Sequence, residues 1–89
     1  MFKLVIFLSK NDRADLSALD VARPILAEHI RATGGRIEAW SRSFDCACDQ
    51  CHAIFESREA ASACTTHPKW AGMSNHHVRL VHAEWTESA

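Results

Sequence analysis

The middle of this chain crowds together side chains that bind soft metal ions. Cys48 and Cys51 flank a dipeptide, Cys64 and His67 stand three apart one helix length later, and Cys46 and His52 lie beside the first pair. All four cysteines of the 89 residues fall in this stretch. A chain so short buries only about 60–65% of its unfolded surface, so residues 1–89 make one domain with a thin core, and a metal ion or cystine is a common source of added stability. No apolar run approaches the roughly 20 residues of a membrane span, and residues 1–8 lack the length and cleavage site of a secretory signal. The expectation is a soluble, cytoplasmic protein without membrane contact, whose reduced thiols bind metal in preference to forming cystines.

Hydrophobic residues make up 47% of the chain and only three residues are glycine, the composition of a globule. Residues 2–8 are β-branched and aromatic and apolar on both faces, which predicts a central strand followed by a loop over 9–15. From Leu16 the spacing turns helical through Leu19, Ala22, Leu26, Ile30 and Thr33, and Gly34-Gly35 ends it. Pro24 disfavours helical geometry in the residue before it, predicting a short first turn over 16–22 and a regular helix over 24–33. Residues 36–44 and 51–56 are extended runs joined through 45–50, a hairpin. Ser57 caps a helix over 57–67 that Pro68 stops, and after a loop through Gly72 residues 77–85 alternate as a last strand. The order βαββαβ predicts an α+β, ferredoxin-like sandwich: a four-stranded antiparallel sheet with two helices on one face. In that fold the second helix returns Cys64 and His67 to the hairpin end carrying Cys48 and Cys51.

Residues 48–67 resemble the two-cysteine, two-histidine zinc finger, with Phe55 at the family's aromatic position and Ala61 at its apolar one. Cys64 stands where the finger has its first histidine, and the helical pair is closer than usual. The resemblance implies a structural Zn2+ held by Cys48, Cys51, Cys64 and His67, a full shell that leaves no position open for catalysis. Cys46 remains an alternative to Cys48, and His52 is a reserve ligand that alternation places on the sheet face opposite Phe55. Fingers that read DNA do so from positions corresponding to Ser57, Ala60 and Ala63, none of which makes a bidentate base contact. With a formal charge of -1, nucleic acid is not the expected partner. Cys48 to His52 also has the spacing of a c-type haem attachment site, a reading that needs export and leaves Cys64 and His67 unexplained.

Alternation along the strands turns Ala39 toward the helices and places Phe7, Trp40, Phe44, Ile54, Val81 and Trp85 on the other face of the sheet. An apolar face of that kind marks contact with a protein partner or a second copy of the chain. The expected function is a non-enzymatic, zinc-stabilised protein-binding module, such as an adaptor, a regulator or a virus-encoded inhibitor. The alternative is a small enzyme resembling the dimeric α+β barrel type, in which His29 faces a cavity between helices and sheet. A second metal site at His76, His77 and His82 ranks below plain solvated histidines.

Overall fold

The computed structural model describes residues 1–15, 17–75 and 77–87, with side chains described no further than residue 82. Its organising element is β1 (Phe2–Lys10), whose alternate residues Leu4, Ile6 and Leu8 are buried on one face. β1 pairs antiparallel with β3 (Cys48–Phe55) on one side and β4 (Val78–Glu87) on the other. β2 (Gly35–Arg42) pairs antiparallel with β3, which gives the strand order β2-β3-β1-β4. Three helices, α1 (Ser17–Ala32), α2 (Arg58–Thr66) and α3 (Pro68–Gly72), supply the other half of the core. Leu19, Leu26 and Ile30 of α1, Ala61 and Cys64 of α2 and Trp70 of α3 pack with Leu4, Ile6, Leu8, Phe55 and Leu80 of the sheet. The chain is thus an α+β fold, an antiparallel sheet under a helical layer.

Several local rules act differently from the sequence expectation. α1 runs without a break through Pro24. Both Pro24 and Asp20, whose carbonyl loses its i+4 donor there, lie on the exposed side, where solvent can satisfy the carbonyl. Gly34 ends the helix in a left-handed conformation at φ 90°, as the glycine pair suggests. Pro68 does more than stop α2. It occupies the first turn of α3, where its missing N–H costs nothing, and His67 caps that turn by accepting the Lys69 amide on Nδ1 at 3.0 Å. The loop expected over these residues therefore contains a short helix.

The hairpin is also displaced. Cys48 is the first residue of β3, so the tip lies over residues 43–47 and not at the cysteine pair. Ser43 and Asp45 build that tip: Asp45 accepts from the Ser43 hydroxyl at 2.6 Å and from the Ala47 amide at 3.1 Å, and Ser43 Oγ accepts from the Cys48 amide at 3.0 Å. Cys46 takes the left-handed position of the turn at φ 60°. Short polar side chains that bond to nearby amides are strong turn formers, and here they override the pull of the Cys-x-x-Cys spacing.

Each edge strand carries one extra residue. The β2–β3 register slips between Ile37 and Ala39, and the β1–β4 register slips opposite Leu4 and Ile6, so the surplus residues belong to β2 and β4. A bulge reverses which face the residues beyond it occupy. Trp40 accordingly stands opposite Cys51 on the helical face, and Ala39 stands opposite His52 on the outer face, the reverse of the alternation count.

A buried carboxylate joins the layers. Asp49, fully buried on β3, accepts from Arg42 Nε at 2.7 Å and Nη2 at 3.0 Å, and from Arg23 Nε of α1 at 2.6 Å. Arg42 also donates to Asp20 at 2.8 Å, and the Arg23 guanidinium lies 4.7 Å from the centre of the Trp40 ring. Burial pushes the Asp49 carboxyl up, but the hydrogen bonds from Arg42 and Arg23 outweigh it and hold the carboxyl below the usual range. A carboxyl lowered in the folded state adds stability above its unfolded value, about 3.9, and loses it as pH falls through the folded value.

Two outcomes follow. Asp49→Ala should lower unfolding free energy by about 3 kcal/mol in denaturant titration, the lower end for breaking a buried pair because both arginines can turn to water, and it should flatten the acid limb of stability below about pH 4. Gly35→Ala should cost about 1–3 kcal/mol, since the new methyl would meet the Phe55 ring at 2.5 Å and an Ile30 methyl at 2.9 Å.

Candidate functional site

The inward register of Asp49 fixes the face of every other residue on β3. Cys51, Ala53 and Phe55 are buried beneath the helices, while Cys48, Gln50, His52 and Ile54 point the other way. Cys48 and Cys51 therefore lie on opposite faces of the sheet. Two cysteines flanking a turn can aim at one point; the same pair three apart within a strand cannot. Cys48 meets the Ser9 hydroxyl at 3.6 Å, and Cys46 is exposed at the hairpin tip. His52 is tied to Gln50 through its Nε2 at 2.8 Å on the outer face.

The remaining two cysteines do share the core. Cys51 of β3 and Cys64 of α2 are both fully buried in one cluster with Ile6, Ile30 and Phe55. Burial pushes the Cys51 thiol up to about 12, with the Arg23 charge pulling the other way and Cys64 adding to the rise. Burial likewise raises Cys64, opposed by a hydrogen bond with Thr33. Raised in this way, both thiols are neutral at physiological pH unless a metal ion stabilises their anions, and they pack as small apolar side chains.

Around Cys64 stand the imidazoles. His29, 6% exposed on α1, donates from Nε2 to the Cys64 carbonyl at 2.9 Å, capping an α2 carbonyl that has no helical donor. Its ring packs edge-on with that of His67, centroids 5.2 Å apart, and lies 6.5 Å from the ring of Trp70, which in turn lies 5.9 Å from that of His82. His67 itself is exposed just beyond α2. Of the four ligands expected, Cys51 and Cys64 share the core, His67 lies against His29 just beyond α2, and Cys48 faces the other side of the sheet; among the described residues no three His, Cys, Asp or Glu side chains are grouped closely enough to hold a metal ion. Sequence reading left His29 without a partner, although its spacing from Leu26 and Thr33 already places it on the buried stripe of α1.

Among the described residues no helix covers the outer face of the sheet. Phe7 and Ile54 are half-buried there with Val5, and Val81 is 45% exposed. Lys3 and Glu38, 3.7 Å apart, and the Gln50–His52 pair border them. Two of the expected interface residues are elsewhere. Trp40 lies on the helical side over Arg23, for the reason of register given above, and Phe44 projects fully into solvent from the hairpin tip. The side chain of Trp85, and His76 entirely, lie outside the described residues; the backbone of residue 85 pairs with Leu4. No helix is long and apolar enough to cross a membrane among the described residues.

No protein-family model and no curated protein matches this sequence.

Thiol labelling reads these placements directly. In the folded protein, Cys46 should react with a disulfide reagent at once, Cys48 more slowly, and Cys51 and Cys64 only at the rate of unfolding. Fast modification of all four at neutral pH would contradict the burial of the core pair.

Proposed function

We propose that this chain is a non-enzymatic protein-binding module, a ferredoxin-like sandwich that pairs with a second copy of itself through the outer face of its sheet. The observation that carries this reading is the line of Val5, Phe7, Ile54 and Val81 across β3, β1 and β4, with no helix over it among the described residues. Half-buried apolar side chains on the inner strands of an open sheet gain by losing their remaining water, at about 25 cal/mol per Å2. A two-fold pair suits the face because the same patch serves both partners, and the Lys3 and Glu38 charges at its border can exchange between copies. The strand order β2-β3-β1-β4 supports the ferredoxin-like reading of the fold, extended by the short α3.

The enzyme reading has less support. His29 lines neither of the described cavities, and its Nε2 is engaged by a backbone carbonyl.

The metal reading is retained in a reduced form: zinc would draw on Cys51, Cys64 and His67, with His29 beside them, and leave Cys48 outside. The shared core position of the two thiols and the contact between the two imidazoles support it. Among the described residues these three ligands are not grouped closely enough to share an ion, so binding would need them to draw together, His67 to release the Lys69 amide and both thiols to lose protons, which zinc can drive.

Sedimentation equilibrium tests the main reading. The parent chain should run as a pair at micromolar concentration, and Phe7→Glu should run as a monomer with an unchanged circular dichroism spectrum. A parent chain that stays monomeric to high concentration would sink it. Native mass spectrometry after refolding with zinc tests the metal reading: Cys64→Ser should abolish bound zinc and Cys48→Ser should leave it, whereas a parent chain that takes up none overturns the metal reading and leaves the sheet face untouched.

A further inference from the structure

On the helical side, remote from the outer sheet face, a cavity of about 430 Å3 opens between α1, the end of β1 and the segment joining α3 to β4. Its floor and walls are aliphatic: Leu8, Ala22, Leu26, Met73 and Val78. Val21 and Ile25, 62% and 53% exposed, extend the apolar wall to its rim. The size falls in the range of small-molecule sites, which are largely apolar with a few placed polar groups.

The polar groups at this mouth are unequal. The Asp15 carboxylate accepts the Ser17 amide, and the Asn75 side-chain oxygen accepts the His77 and Val78 amides, so both serve the local backbone. Arg13 lines the cavity with a guanidinium that makes no hydrogen bond or ion pair among the described residues. His77 lines the same cavity from the segment that leads into β4. The two loops are bound together: Asn11 donates its amide to the His77 carbonyl at 2.8 Å and its side-chain nitrogen to the Asn75 carbonyl at 3.2 Å. Lys10 donates to the Asn11 and Ala14 carbonyls at 3.1 and 3.0 Å. A mouth held open in this way loses little freedom on binding.

We propose that this cavity binds a small amphipathic acid, its aliphatic body between Leu8, Leu26 and Met73 and its carboxylate at Arg13 with His77 beside it. The Arg13 guanidinium, without an ion pair among the described residues, favours an anion on its side of the mouth, away from the Asp15 carboxylate that keeps its charge while accepting the Ser17 amide, and a floor without aromatic rings among the described residues favours a flexible chain over a flat ring. The site is independent of pairing through the sheet, so either can fail alone.

Methyl-detected NMR titration with sodium octanoate below its micelle concentration, and with 1-octanol as the uncharged counterpart, provides the test. Octanoate should produce saturable shifts at the Leu8, Leu26, Met73 and Val78 methyls. Arg13→Ala should weaken octanoate roughly tenfold, the worth of one charge-assisted hydrogen bond, and leave 1-octanol unchanged. Val21→Glu, at an exposed rim position, should weaken octanoate by repulsion in the same way. Arg13 and Val21 are both exposed, so neither variant disturbs the core. Absence of saturable shifts at these methyls, shifts centred on Val5 and Ile54 of the sheet, or equal loss of octanoate and 1-octanol in Arg13→Ala would each overturn the proposal.

Discussion

Asp49 is the constraint on which the arrangement rests. A carboxylate fully removed from water is tolerable only when its oxygens are occupied by charged donors, and here two arginines occupy them, one from α1 and one from β2. That requirement sets the rotation of β3 about its own axis. With Asp49 inward, Cys51 must be inward and Cys48 outward, because side chains alternate along a strand. The same clamp draws Arg23 across Trp40, which gives the indole a cationic lid on the helical side of β2. A pair of arginines thus decides how far apart two cysteines stand.

The same logic separates what was readable in the sequence from what was not. β1, α2 and β4 follow from apolar periodicity and a serine cap, and the antiparallel α+β class follows from their order. The start of β3 was obscured because two signals compete at residues 43–51: Ser43 and Asp45 form a turn by bonding to nearby amides, while Cys48 and Cys51 suggest one by their spacing. Energetically the turn chemistry is local and available to every such sequence, whereas the cysteine spacing acts only through an ion. Trp40 was misassigned for another reason. A bulge has no residue signature in β2, where Glu38 and Ala39 are ordinary, so a count by twos runs straight through it.

The corner between α2 and α3 is a second place where chemistry and packing share residues. His29 caps a carbonyl, His67 caps a helix, and Trp70 lies between His29 and His82. Each imidazole already has a structural role there, so a metal would have to compete with helix capping. Histidines near cysteines in sequence suggest ligands; in space these first serve the ends of short helices, which have more unsatisfied backbone groups per residue than long ones.

The surplus residues in β2 and β4 bear on how copies of this chain can meet. Both lie in the outermost strands, where unpaired amides and carbonyls would otherwise template the addition of a neighbour's strand, and a local kink there spoils the straight ladder such addition needs. Growth sideways into a ribbon is thereby disfavoured. Stacking of one sheet upon another, the pairing proposed above, would close after two chains instead of polymerising.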